Sequence, residues 1–175
     1  MKCIKSALNG VIVIEPKVHG DDRGFFKEVI HPKALEDLGI RHRFVQVNHS
    51  RSQKGTLRGM HVQSPPYAQA KLVRCLRGHI FDVAVDLRPN SPSLGQWFGY
   101  DLTEDNHCMM YVPVGFAHGF LAMTDADVEY ACGDVYAPDF DNSFHWKDAT
   151  VNIQWPLEST PLVSKKDEEA PSFDA

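Results

Sequence analysis

Gly55-Thr-Leu-Arg-Gly-Met-His61-Val-Gln63 is followed, about fifty residues later, by Pro113-Val-Gly-Phe-Ala-His118-Gly-Phe120. Glycine inside a strand marks a bend or a close approach of another backbone. Without a bend at Gly59, the two-residue period of a strand would place Arg58 and His61 on opposite faces. Either histidine could transfer a proton near neutral pH. Taken alone, however, His61 is better explained as a hydrogen-bonded core residue, and His118 fits a structural role as well as a ligand-facing one.

The spacing of these residues resembles the two boxes of a cupin, a small β-barrel that usually holds a metal ion in its mouth. The metal ligands of that pattern are incomplete here, because Gln63 stands where a second histidine would lie. Tyr67 and Ala68 occupy the stretch where a glutamate would follow. With no Cys/His cluster elsewhere, a zinc site is also disfavoured. The pattern therefore predicts acid–base chemistry without a metal.

Short strand-like segments separated by Gly, Pro, Asn and Asp make up most of the chain. They are residues 10–15, 44–48, 72–76, 80–87, 96–101, 109–112, 119–123 and 128–132. Only residues 32–38 have the pattern of a helix, which Gly39 ends. The chain is predicted to be all-β, a sandwich or barrel with few short helices. No repeat or linker divides it, so residues 1–175 are expected to form one domain with a polar surface segment from about residue 164.

Composition excludes several classes of function. The 175 residues carry a net charge of −5 without a basic run, which argues against a nucleic-acid surface. No apolar stretch is long enough to span a bilayer, and the N-terminus lacks a signal-peptide core, so a cytoplasmic location is expected. The four scattered cysteines are expected to stay reduced there. A P-loop and a dinucleotide fingerprint are both missing, so no cofactor is predicted.

Four further residues could carry chemistry, although each has an ordinary alternative. Lys71 is either a strand-end charge that reaches solvent or a cation that points into the barrel. Tyr130, within a strand, could be a core residue or a proton donor. Arg23 and Arg58 could bind an anion such as a phosphate, but arginines of this kind are more often solvated.

Eight motifs, in order, resemble those of the dTDP-4-dehydrorhamnose 3,5-epimerases and span roughly residues 18 to 173. They are Asp22-Arg-Gly-x-Phe-x-Glu28, Gln46-Val-Asn-His-Ser-x-Ser52, Leu57-Arg-Gly-Met-His-x-Gln63, Gln69-Ala-Lys-Leu-Val-Arg74, Asp82-Val-Ala-Val-Asp-Leu-Arg88, Pro113-x-Gly-Phe-Ala-His-Gly-Phe120, Tyr130-x-Cys-x-x-x-Tyr136 and Ser164-x-Lys-Asp167. The resemblance implies a cupin-type jelly roll and a homodimer. It also implies an isomerase without metal or cofactor that acts on a dTDP-4-keto-6-deoxy sugar.

The same resemblance assigns four catalytic roles. His61 would be the base that removes the proton at C3 or C5, and Asp167 would orient it and make it a stronger base. Lys71 would stabilise the enolate oxygen that forms. Tyr130 would return a proton from the opposite face of the sugar, which inverts the carbon.

Further positions match residues that hold the sugar nucleotide in the family. They are Arg23, Glu28, Gln46, Asn48, Arg58, His118, Tyr136, Asp141 and Lys166. His118 would contact the substrate near its keto group, and the arginines suit its diphosphate. Tyr136 is a candidate aromatic wall. In the homodimer that the resemblance implies, the N-terminal strands would pair across subunits and supply residues such as Glu28 to the neighbouring site.

Departures from the family pattern leave alternatives open. Val47 stands where members often carry Asp, Asp141 where some have Glu, and Gly133 where a small hydroxyl residue is common. These departures also fit a single-centre epimerase or a keto-isomerase of the same sugar class. From other classes, a metal-dependent cupin dioxygenase is opposed by Gln63. A catalytically silent sugar-binding module is opposed by the presence of both a base and an acid.

Overall fold

Two antiparallel β-sheets packed face to face form the body of the structure, a computed structural model that describes residues 1–173. The strands are β1 (Lys2–Ala7), β2 (Val11–Glu15), β3 (Val18–Asp21), β4 (Gly24–Lys27), β5 (Gln46–Ser52), β6 (Leu57–Gln63), β7 (Lys71–Arg77), β8 (His79–Asp86), β9 (Trp97–Thr103), β10 (Met109–Val112), β11 (Phe116–Ala122), β12 (Ala126–Cys132) and β13 (Asp141–Ser143). Two α-helices, α1 (Pro32–Asp37) and α2 (Lys165–Glu168), and a 3₁₀ turn at Pro138–Phe140 complete the described elements. In the described part of the chain, both helices are too short to cross a membrane.

The chain passes repeatedly from one sheet to the other. One sheet has the strand order β1-β2-β10-β7-β12-β5 and the other has the order β13-β6-β11-β8-β9, while β3 and β4 form a separate hairpin. Neighbours in each sheet are therefore mostly distant in sequence, as Greek-key connections require. The predicted all-β sandwich or barrel is confirmed.

Strand β8 contributes to the interior on both of its faces. Ile80 and Ala84 pack in the main core between the sheets, whereas Val83 packs in a second core cluster on the other side. The sequence indicated that one face of this strand is partly acidic. That face points into the space between the sheets, so Asp82 and Asp86 are fully buried. Buried carboxylates require partners. Asp82 pairs with His118, and Asp86 pairs with Arg88.

Predicted and observed elements differ mainly at the margins of the sheets. The sequence placed a strand at 119–123, but β11 is Phe116–Ala122, and its residues are all buried, so no alternation marked its start. It gave no signal for β1, because nearly every side chain of that edge strand is exposed. The hairpin β3–β4 was missed for the same reason.

The polar segment from about residue 164 contains the short helix α2, which the sequence did not predict. Ser164 caps this helix, and its Oγ accepts a hydrogen bond from the backbone N–H of Asp167 at 3.1 Å. Lys165, Lys166 and Glu168 are exposed, but Asp167 is buried. The segment is thus a surface segment with one inward-pointing carboxylate.

Asp86 anchors the loop that follows β8. Its carboxylate accepts two hydrogen bonds from the Arg88 guanidinium, at 2.9 and 2.7 Å, and one from the Arg88 backbone N–H at 3.0 Å. The hydroxyls of Ser91 and Ser93 each donate one more, both at 2.6 Å. Arg88 also donates to the carbonyls of Leu8 and Asn9 in the turn between β1 and β2. Burial alone would raise the pKa of Asp86, but these hydrogen bonds hold it well below its usual range. The carboxylate therefore stays ionised and joins two distant turns.

We expect Asp86→Asn to lower the free energy of unfolding by about 3 kcal/mol, because Arg88 then lacks its buried counter-charge. Stability from Asp86 is present above its ordinary pKa of about 4 and is lost as the pH falls. The acid-induced loss of stability should accordingly be smaller in the variant. Urea denaturation at pH values above and below about 4 measures both the loss of stability in the variant and its dependence on pH. Asp101→Asn is the matched control, since that carboxylate is exposed and pairs with His79 at the surface. Equal destabilisation by the two variants would contradict the account.

Candidate active site

A cavity of about 400 Å³ lies between the sheets, beside a second cavity of about 270 Å³. Three side chains line both cavities, namely His61 from β6, Lys71 from β7 and Tyr130 from β12. β6 belongs to one sheet, whereas β7 and β12 belong to the other. A molecule that filled both cavities would therefore pass between His61 on one side and Tyr130 and Lys71 on the other.

A bulge in β6 directs both Arg58 and His61 to the first cavity. His61 pairs with His118 of β11, and Arg58 pairs with Phe120, so three residue steps on β6 match two on β11. The irregularity includes Gly59, which has a φ of 132°, and a Cβ there would lie 2.6 Å from the Cα of Gly119. Only glycine fits so close an approach. The bend at Gly59 that the sequence allowed is confirmed.

His61 forms a short hydrogen bond with Asp167. The distance from Nε2 of His61 to Oδ1 of Asp167 is 2.6 Å, and the Asp167 side chain is only 4% exposed. Burial alone would raise the pKa of Asp167, but the hydrogen bond and charge of His61 and the Gly59 N–H outweigh it, so this pKa is lowered. An ionised Asp167 accepts from Nε2–H, which leaves Nδ1 of His61 with the free lone pair. Asp167 thereby orients His61 as a base.

A second histidine–carboxylate pair lies deeper between the sheets. His118 Nε2 is 2.7 Å from Asp82 Oδ1, and both residues are buried. Burial raises the pKa of Asp82, although His118 and Lys71 oppose the shift. The sequence assigned no role to Asp82; the signal that could have identified it is an acidic residue on the same face of β8 as the core residue Ala84.

Burial shifts the pKa values of Lys71 and Tyr130 in opposite directions. Burial lowers the pKa of Lys71, against the opposing effects of Cys132, Asp141 and Asp82. Burial raises the pKa of Tyr130, with a further contribution from Cys132. Tyr130 therefore keeps its phenolic proton at neutral pH and can donate it.

Comparison with known proteins gives a consistent result. The family model described as dTDP-4-dehydrorhamnose 3,5-epimerase matches residues 5–175. The dTDP-4-dehydrorhamnose 3,5-epimerase of Escherichia coli (strain K12) is 48% identical over 170 residues, covering 96% of this chain and 92% of that protein. The chain belongs to the dTDP-4-dehydrorhamnose 3,5-epimerase family.

Solved structures of this epimerase family superpose on nearly the whole chain. The Bacillus anthracis enzyme, with TDP and PPi bound, has a TM-score of 0.95 and 44% identity, covering 98% of this chain and 99% of that one. The Legionella pneumophila dTDP-6-deoxy-D-glucose-3,5-epimerase, in complex with dTDP-4-keto-L-rhamnose, has a TM-score of 0.93 and 44% identity, covering 99% of each chain. The sandwich is therefore the cupin-type jelly roll of the epimerase family, and the protein is an isomerase.

Several residues that the family resemblance assigned to substrate binding meet at the second cavity. Gln46, Asn48, Tyr136 and Asp141 line it. Asp141 accepts hydrogen bonds from the Tyr136 hydroxyl at 3.1 Å and from Lys166 Nζ at 2.6 Å. These two bonds join β13, α2 and the segment after β12 into one cluster at the cavity's edge.

Two further positions that the family resemblance assigned to substrate binding lie elsewhere. Within residues 1–173, neither Arg23 nor Glu28 lines the two cavities described above. The Arg23 side chain, in the hairpin β3–β4, is 89% exposed and pairs with Asp21. Glu28 directly follows β4 and is also exposed. A single chain does not bring these two residues to the cavities.

Proposed function

We propose that this member of the epimerase family inverts C3 and C5 of dTDP-4-dehydro-6-deoxy-D-glucose. The product would be dTDP-4-dehydro-L-rhamnose, an intermediate of dTDP-L-rhamnose synthesis, which we place in the cytoplasm. The observation that carries this proposal is the pairing of His61 with buried Asp167 across the cavity from the protonated Tyr130. Inversion of a carbon by proton transfer needs a base and an acid on opposite sides of it.

Proton removal comes first in the proposed reaction. The hydrogens on C3 and C5 are α to the C4 carbonyl, so His61 can take either as a proton and leave an enolate. The ionised Asp167 stabilises the resulting imidazolium, as a buried carboxylate does for a catalytic histidine. A positioned general base of this kind contributes roughly 10²–10⁴-fold to the rate.

We assign stabilisation of the negative charge on the enolate oxygen to Lys71 and His118. Both line the first cavity, and Lys71 is partly buried there. A donor held ready for developing charge typically contributes about 2.7–4 kcal/mol to transition-state stabilisation. We assign this role to Lys71, with His118 held by Asp82 as a second contact to the keto group.

Tyr130 completes each inversion. Its phenol gives a proton to the enolate carbon on the face opposite to His61, and the tyrosinate regains a proton from solvent. His61 loses its proton to solvent in the same cycle, so protons balance. Repetition at the second carbon completes the conversion of the D-sugar into the L-sugar.

We assign the nucleotide half of the substrate to the second cavity and its rim. Tyr136 presents an exposed ring, a flat apolar surface on which a nucleobase can stack. Lys166 and Arg58 both line the first cavity, and Lys166 also bonds to Asp141 at the edge of the second. We assign both cations to the diphosphate, which arginine can bind with two parallel hydrogen bonds. Gln46 and Asn48 offer amide groups to the remaining polar atoms. Asp141 sits among these residues as the acceptor for Tyr136 and Lys166.

A homodimer would account for Arg23 and Glu28, which are remote from the cavities of their own chain. The β3–β4 hairpin carries two large exposed side chains, Phe25 at 60% and Phe26 at 66%. Val47 is also exposed, on the outer face of β5. Apolar surface of this kind favours association with another copy. We expect light scattering to give the mass of a dimer, and a monomeric mass at assay concentration would contradict this arrangement.

The product identifies the reaction. We expect the purified enzyme, supplied with dTDP-4-dehydro-6-deoxy-D-glucose, to support NADPH oxidation by a reductase that accepts only dTDP-4-dehydro-L-rhamnose. A single-centre epimerase would give no NADPH oxidation in this assay. Stoichiometric iron, manganese or nickel, with activity lost to a chelator, would instead support the metal-dependent cupin alternative.

A further inference from the structure

The segment of residues 133–137, which carries Tyr136, lies between β12 and the 3₁₀ turn and belongs to no strand or helix. Its backbone is bound by three glutamine side chains, called here the glutamine clamp: Gln46, Gln63 and Gln69. Gln69 Nε2 donates to the carbonyl of Asp134 at 2.8 Å, and Gln63 Nε2 donates to that of Val135 at 2.9 Å. The N–H of Tyr136 donates to Gln46 Oε1 at 2.8 Å, and that of Ala137 donates to Gln63 Oε1 at 2.9 Å.

The clamp supplies what a neighbouring strand would supply elsewhere. An irregular segment has no ladder of backbone hydrogen bonds to hold it in one conformation, so its N–H and C=O groups need other partners in the protein to be fixed in place. A glutamine amide can replace a ladder because it offers both donors and an acceptor. The three glutamines bind four consecutive residues of the segment, so Tyr136 has little freedom to shift.

Gln63 is the central member of the glutamine clamp. It is 6% exposed, and its Nε2 also donates to the carbonyl of Tyr67, in the loop before β7. Its amide therefore connects two loops. In a cupin that binds metal, this position of the first box would carry a metal ligand. Here both the nitrogen and the oxygen of the Gln63 amide form hydrogen bonds with backbone groups. Gln63 also lies two residues from His61 on β6, on the same face of the strand.

We propose that Gln63 is a positioning residue that sets the affinity for the nucleotide. It holds Tyr136, and through Tyr136 its hydrogen-bond acceptor Asp141, at a fixed place relative to His61. This inference rests on the proposed function, because it assumes that the second cavity receives the nucleoside diphosphate. Preorganised contacts bind more tightly because less ordering is needed on association.

Gln63→Met tests the proposal, since methionine fills similar space without hydrogen-bonding groups. We expect the Kd for dTDP, measured by calorimetry, to rise about tenfold, with a parallel rise in KM for the sugar nucleotide. The kcat should stay within about twofold, because the loss is in uniform binding. Gln154→Met is the matched control, as Gln154 is exposed and its Nε2 donates to nearby Asn152. An unchanged Kd, or a loss in kcat with KM unchanged, would overturn the proposal.

A double-mutant cycle separates positioning from general loosening. If Gln63 acts through Tyr136, adding Gln63→Met to Tyr136→Ala should change the Kd for dTDP by less than about twofold. Additive effects of the two substitutions on the binding free energy would overturn the proposal.

Should Gln63→Met fail to fold, Gln69→Met removes one bond of the same clamp. It is expected to raise the Kd about threefold with kcat retained, and an unchanged Kd would be a refutation. Wild-type protein that does not bind dTDP would refute the proposed function itself.

Discussion

Replacing His61 with asparagine should lower kcat/KM by about 10³-fold or more, because the reaction then lacks the base that begins it. Asparagine can still donate a hydrogen bond to the Asp167 carboxylate, so the fold and the cavity should persist. The loss should lie in kcat, since proton removal belongs to the transition state and not to substrate binding. Steady-state kinetics with the reductase-coupled assay, together with calorimetric binding of dTDP, measures the two contributions separately.

A surface histidine–carboxylate pair provides the control for this variant. His79 Nε2 is 2.6 Å from Asp101 Oδ1, the same distance as in the His61–Asp167 pair, but His79 lines neither cavity within the described residues. We expect His79→Asn to retain wild-type kinetics. Asp167→Asn should also lower kcat, as His61→Asn does, because the imidazolium of His61 then has no counter-charge. Retention of normal turnover by His61→Asn would contradict the assigned base.

Tyr130→Phe should give the second large effect, and one of a different kind. Without the phenol, product formation should fall by roughly 10²–10⁴-fold, the usual contribution of a general acid. His61 would still remove a proton, exchange it with solvent and return it to the same face. In D2O, the variant should therefore incorporate deuterium into the substrate without inverting it. Proton NMR follows exchange and inversion in one sample.

The outcome distinguishes a proton donor from a residue that merely shapes the cavity. Loss of exchange in step with loss of inversion would show that Tyr130 is needed for enolisation, contrary to its assignment. Because burial raises the pKa of Tyr130, its ionisation should limit the wild-type rate only above a pH of about 10, the ordinary value for tyrosine. An alkaline loss of rate between pH 7 and 9 would need another titrating group.

Much of the sheet architecture could be predicted from the sequence, because short runs of apolar residues bounded by Gly, Pro, Asn and Asp mark the buried strands. The segment at 109–112 coincides with β10, and those at 72–76 and 80–87 differ from β7 and β8 by one residue at either end. The sequence could not reveal β1 or the hairpin β3–β4, whose side chains are mostly exposed. Exposed strands leave no periodic pattern to detect.

The residues that meet in the candidate site could not be predicted from single positions. His61 and Asp167 are 106 positions apart, and nothing local to either predicts their hydrogen bond. Only the order of family motifs placed them together, and it also led to Lys71 and Tyr130. The role of Gln63 was hidden for another reason: its partners are backbone atoms, and their positions depend on how the segment after β12 is folded.

Deuterium exchange at C3 and C5 tests the central assignment most directly. The enzyme is mixed with dTDP-4-dehydro-6-deoxy-D-glucose in D2O, and the two proton signals are followed by NMR. We expect the wild-type protein to remove both signals, whereas His61→Asn should remove neither over the same period. Loss of only one signal with the wild-type protein, or loss of both with His61→Asn at the wild-type rate, would contradict this assignment.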